Sequence, residues 1–123
     1  MGQFFISTSA ILALLGVALG AFGSHGLKET LSADMMSVYQ TGSHYHLTHA
    51  LALLGIGILA RQMDSKAIKV AGIAMIFGIL VFSGSLYALA ISGVRILGAI
   101  TPIGGVGFMV GWAALAVAAI KNP

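Results

Sequence analysis

The chain contains no cysteine and only two prolines in 123 residues. Disulfides, thiolate catalysis and Cys-ligated metals or clusters are therefore excluded. Charge is equally scarce. Asp, Glu, Lys and Arg together make up 7% of the residues, against about 25% in an average soluble domain. A soluble globule this small must wet most of its residues, and six basic and three acidic side chains cannot supply that surface. A soluble enzyme and a nucleic-acid-binding protein are set aside on this ground. Met1 to Leu27 holds no basic residue, so the charged start of a signal peptide is missing. Ile6 stands where an N-myristoylation pattern needs Ser or Thr.

What the chain has instead is apolar residues, at 59%. Four apolar stretches run over about 4–22, 44–60, 70–93 and 102–120. A bilayer-spanning helix needs about 20 such residues. The first, third and fourth meet this, and the second is shorter and opens with histidines. Between the first two, Ser32 can cap a helix with Asp34 in its first turn. Met35, Met36, Val38 and Tyr39 then form a helical stripe, which reads as a short interfacial helix running or kinking into the second span near Gly42. The polar Arg61–Lys66 loop predicts an antiparallel hairpin of spans two and three. Thr101-Pro102 reads as N-cap and first helical residue of the fourth. The expected fold is thus an all-α membrane protein: an antiparallel four-transmembrane-helix bundle in one domain, with a short interfacial helix between spans one and two.

Glycine is common, at 17 residues. Gly16 with Gly20 and Gly107 with Gly111 lie four apart, and Gly84 pairs in the same way with Ala88. Such spacing lets membrane helices approach closely. Gly104 and Gly105, after Pro102, extend this packing surface. The stripes could serve the bundle itself or a homo-oligomer or partner face. Four spans put both termini on one side with Arg61, Lys66, Lys69 and Lys121, leaving Lys28 and Arg95 on the other. That bias favours cytoplasmic termini.

The candidate chemistry centres on four histidines, His25, His44, His46 and His49. His46 and His49 are three apart and share a helix face. His25 ends span one, so antiparallel spans would bring it near them at one membrane surface. Imidazole is a common ligand of zinc, copper and haem iron, which makes His25, His46 and His49 candidate metal or haem ligands. Proton handling and a purely structural role are the other readings. Arg95, in an otherwise apolar connection, either reaches headgroups or pairs with Glu29, Asp34 or an anionic ligand. Trp112 is too deep in span four to anchor at an interface and reads as a bundle contact. No span carries Asp or Glu, which argues against a proton-coupled exporter.

Several of these residues also form a recognisable set. Gly20-Ala21-Phe22-Gly23-Ser24-His25-Gly26-Leu27 resembles the Gly-Ala-Phe-Gly-Ala-His-Gly-Leu motif of domain-of-unknown-function family four-two-three. The likeness continues through Tyr39-Gln40-Thr41-Gly42, Tyr45-His46, His49-Ala50-Leu51-Ala52-Leu53, Phe82-Ser83-Gly84-Ser85-Leu86-Tyr87, Thr101-Pro102-Ile103-Gly104-Gly105 and Gly111-Trp112. Ser24, where Ala is typical, departs from the pattern. The resemblance implies a small four-helix membrane protein of bacteria with vertebrate relatives, and it supplies no reaction. The matched positions include His25, Tyr45, His49, Arg95 and Thr101, which would cap one end of the bundle with His46. The expected function is a non-enzymatic binding, assembly or accessory role in the lipid bilayer, with that cap contacting a ligand or partner and with no cofactor. A haem- or metal-binding redox protein and a small oligomeric channel or transporter are the alternatives.

Overall fold

The computed structural model describes residues 1–122, and all regular structure among them is helical. Helix α1 spans Gly2–His25, α2 Ala33–Ala60, α3 Lys66–Gly78, α4 Gly84–Ser92 and α5 Thr101–Lys121. A π-helical turn, Ile79–Ser83, joins α3 to α4 without a break, and a 3₁₀ turn, Arg95–Ala99, leads into α5. The chain therefore makes four antiparallel rods. Three of them, Gly2–His25, Lys66–Ser92 and Arg95–Lys121, are long and apolar enough to cross a membrane. The fourth, α2, has the length, but its histidines, Gln40 and hydroxyl residues dilute its apolar character.

Local signals set most of the ends. The Ser32 hydroxyl accepts from Met35 N–H at 3.1 Å and starts α2. Ser65 does the same for α3 through Ile68 N–H at 3.4 Å. Gly93 takes a left-handed conformation, φ 73°, and its N–H closes α4 on Leu89 O at 2.7 Å. Two expectations need correction. The interfacial helix is not a separate element: α2 runs unbroken from Ala33 through Gly42. Gly42 serves close approach, since a Cβ there would sit 3.1 Å from Leu86 Cβ and 3.4 Å from Ser83 O. Thr101 is not the N-cap of α5. Ile100 holds that position, and the Thr101 hydroxyl turns to Ser85 instead, at 2.6 Å.

Packing follows the small residues. On α1 the buried positions include Gly2, Ser9, Gly16 and Gly23, spaced by seven. On α5, Gly104, Gly111 and Ala118 repeat that spacing. A seven-residue repeat keeps one stripe against a neighbouring antiparallel helix. Large side chains of the neighbours enter the notches. The Tyr39 ring lies over Gly23, Leu47 over Gly16, Phe5 over Gly72, and Met75 over Gly111. The main apolar core includes Phe5, Leu12, Leu53, Ile56, Met75, Ile79 and Phe108. A second, smaller cluster of Leu27, Tyr39 and Ala90 seals the end where Gly26–Ser32 connects α1 to α2.

The closest backbone approach is at the π turn. A Cβ on Gly104 would lie 2.7 Å from Phe82 Cα. Gly107 and Gly111 face Phe77 and Met75, Gly20 stands 3.5 Å from Ser43 Oγ by the same measure, and Gly105 only grazes the Phe82 ring. Gly84, counted among the packing glycines on spacing alone, has no such neighbour within 4 Å. The π turn, with Gly84 N–H reaching back to Ile79 O, rotates Gly84 off the packed face. Accordingly, Gly104→Val should destabilise the protein by about 1–3 kcal/mol through overpacking, while Gly84→Ala should stay within about 1 kcal/mol of wild type. Unfolding of the two variants in one mild detergent checks both; equal losses would remove the distinction.

Candidate functional site

The two buried histidines lie on α2 and bond to three neighbouring helices. His46 is 4% exposed, and its Nε2 stands 2.7 Å from Leu12 O. A carbonyl only accepts, so Nε2 carries the proton. Nδ1 is then a lone-pair acceptor and receives the Tyr87 hydroxyl at 2.9 Å. His49 is 5% exposed and has the opposite tautomer. Its Nδ1–H donates to Tyr45 O, one turn back, at 2.7 Å. The Trp112 indole N–H, which can only donate, meets Nε2 at 3.1 Å. Two turns from the α2 start, Tyr39 donates its hydroxyl to Leu19 O at 2.6 Å.

Aromatic rings surround this core. His49 stacks on Phe108 with ring centroids 3.7 Å apart and planes 15° apart. Tyr45 packs on Phe82 at 4.7 Å and on His49 at 5.7 Å. Tyr39 and Tyr87 tilt together at 5.0 Å. Beside the π turn, the Thr101 hydroxyl donates to Ser85 Oγ, which donates to Phe82 O at 2.9 Å. Ser83 Oγ is buried there with no hydrogen-bond partner among the described residues.

The expected cap at one membrane surface is not what the rods build. His46 pairs with Leu12, near the middle of α1, whereas His25 is the exposed last residue of that helix. Thirteen residues separate Leu12 from His25, or about 20 Å of helix. His25 thus stays away from His46 and His49, because α2 starts well before the expected span and carries both histidines to mid-bundle. Tyr45 and His49 share that depth. Arg95 lies in the exposed 3₁₀ turn, and the one ion pair among the described residues is Lys69–Asp64 at 3.4 Å. Thr101 joins Ser85 rather than the histidines. His44 is exposed, edge-on to Tyr45. Among the described residues no three His, Asp or Glu side chains gather as a metal-ligating group.

The donor chemistry points the same way. All four ring nitrogens of His46 and His49 are engaged, so a metal or haem iron could take one only by displacing Leu12 O, Tyr87, Tyr45 O or Trp112. Tyr39, Tyr87, Phe108 and Trp112 complete the site, and the spacing of histidines alone did not pick them out. Tyr39 and His46 are seven apart, matching the small-residue period of α1, and that shared period is the signal that pairs them.

Away from this core, a groove of about 380 Å³ opens between the end of α1 and the start of α2. Gly20 and Gly23 leave the space, and Ser24, Gln40, Ser43 and His44 line it. The Ser24, Gln40 and His44 side chains make no hydrogen bond to another described residue.

Apolar rods held by satisfied polar groups define a polytopic helical membrane protein, and the chain is an integral membrane protein. Comparison with known proteins places it further. Residues 19–105 match the model of the family described as protein of unknown function, DUF423, and the chain belongs to that family. It is 47% identical over 118 residues to the UPF0382 membrane protein YwdK of Bacillus subtilis, covering 95% of this chain and 96% of that one. It is 48% identical over 117 residues to a UPF0382 membrane protein of Staphylococcus epidermidis, covering 95% of each. It is also 40% identical over 119 residues to the UPF0382 inner membrane protein YgdD of Escherichia coli, covering 97% of this chain and 91% of that one. No solved structure matches the chain.

The His46–Tyr87 bond yields a test by double-mutant cycle. His46→Leu and Tyr87→Phe should each destabilise the protein, and the double variant should cost less than their sum by about 0.6–1.7 kcal/mol. Unfolding in detergent measures the coupling; a value of zero would mean the bond contributes nothing.

Proposed function

We propose that the protein is a non-enzymatic four-span membrane protein that binds a partner, in an assembly or accessory role, at the end where α1 stops and α2 begins. The observation that carries this reading is the polar groove between those two helices, with Ser24, Gln40 and His44 free of internal hydrogen bonds. Most other exposed large side chains of the bundle are apolar and suit lipid. The groove is where unsatisfied donors and acceptors meet an open volume, which is the character of a recognition site. His46 and His49 act as structural pins, and their committed nitrogens support a binding role over ligand chemistry at the bundle centre.

In this reading α2 crosses the membrane with the other three rods. Its 28 residues extend about 42 Å, more than the ~30 Å hydrocarbon layer. Internal hydrogen bonds offset the cost of placing its histidines there. Four crossings put both termini on one side, and Arg61, Lys66, Lys69 and Lys121 favour the cytoplasm for it. The groove then opens on the opposite face.

A photo-crosslinking residue at position 40 tests the site in native membranes. It should give a discrete protein adduct, while the same probe at position 73, on the lipid-facing side of α3, should give none. Absence of an adduct at 40, or the same adducts at both positions, would defeat the proposal.

A further inference from the structure

We propose that the opposite end of the bundle, where α2 turns into α3, holds the phosphate of one anionic phospholipid headgroup. A cavity of about 460 Å³ lies there, between the start of α1 and the connection after α2. Its polar lining is Arg61, Gln62, Asp64 and Lys69, and its apolar lining includes Met1 and Ile68. Asp64 is the one acid at this end, and Lys69 Nζ stands 3.4 Å from it. The Arg61 guanidinium makes no ion pair among the described residues. Lys66 opens α3 and Lys121 closes α5 at the same end, so cations outnumber the carboxylate. At the other end Lys28 and Arg95 are matched by Glu29 and Asp34.

The position of Arg61 is fixed from below. It caps α2, and its aliphatic stem lies over Gly2, where a Cβ would collide with it. The exposed guanidinium is thereby held at the cavity, and its planar fork of N–H donors fits two phosphate oxygens. Lys69 adds a second charge while countering Asp64, which would otherwise repel an anion. Met1, 52% exposed, and Met63 also line the cavity. They give the acyl chains of the same molecule an apolar flank. A zwitterionic lipid would bring its own cation against Arg61, and a free phosphate would have no chains to use that flank. The combination selects an anionic phospholipid.

Native mass spectrometry of the full chain in mild detergent tests this, with added phosphatidylglycerol, phosphatidylcholine of the same chains, or inorganic phosphate. One phosphatidylglycerol should be retained in preference to phosphatidylcholine, and equimolar phosphate should not displace it. Arg61→Met, which keeps the stem over Gly2 and removes the charge, should cut retention by about fivefold. Arg61→Lys should keep most of it, and Arg95→Gln, at the other end, should keep all of it. Equal retention of the two lipids, displacement by phosphate, no effect of Arg61→Met, or an equal loss in Arg95→Gln would each overturn the proposal.

Discussion

The bond from His46 to the Leu12 carbonyl sets the geometry on which the rest depends. Lipid gives apolar helices no hydrophobic reason to associate, so packing and hydrogen bonds must hold them. Here an α2 side chain reaches the backbone of α1 rather than another side chain. The carbonyl of Leu12 has a second lone pair beyond the one used in its own helix, so α1 gives up nothing to accept it. Tyr39 repeats the device on Leu19, two helical turns along. The two contacts pair positions seven apart on α2 with positions seven apart on α1, and this fixes the antiparallel register of the pair.

That register would fail without the notches in α1. Gly16 and Gly23 let the α2 side chains come in far enough to reach the backbone. The same principle holds α5, where Gly104 meets the backbone of the π turn. The two stripes serve different purposes. Those on α1 admit α2 side chains, Leu47 and His46 at Gly16 and the Tyr39 ring at Gly23, and on α5 Gly104 brings backbones together at Phe82. The π turn suits the second purpose because its extra residue shifts the side chains that follow it.

The number of rods, their antiparallel order and a helix start at the Ser32 cap were legible in the sequence, because apolar run length and a cap are local. The depth of the histidines was not. Reading α2 from His44 placed His46 and His49 at a surface, beside His25. The helix begins at Ala33, and its register on α1 is a property of two helices together. Spacings of four among glycines were visible at once, but Gly84 fits that pattern and faces open space, while Ser9 and Ala118 fall outside it and are buried. The seven-residue period of Gly2, Ser9, Gly16 and Gly23 was present and carries the packing information. The polar groove was only partly legible, since Ser24, Gln40 and His44 come from two helices whose offset had to be known.

The least apolar rod is therefore the hub of the fold, and for a physical reason. α2 bonds α1 through Tyr39 and His46, α4 through His46 and Tyr87, and α5 through His49 and Trp112. Each bond requires a polar group on α2, and each polar group lowers its suitability for lipid. Alone in a bilayer, α2 would present two imidazoles and a phenol without these partners, at a cost of several kcal/mol in hydrocarbon. Packed among the other rods, it has every one of those nitrogens and the Tyr39 hydroxyl engaged. The two histidines take opposite tautomers because one donates to a neighbouring helix and the other to its own. Each then has a single acceptor nitrogen left, and the bundle supplies one donor for each, Tyr87 and Trp112. The centre is thereby closed around both imidazoles, and Ser83 Oγ by the π turn is the one buried side-chain oxygen among the described residues left without a partner.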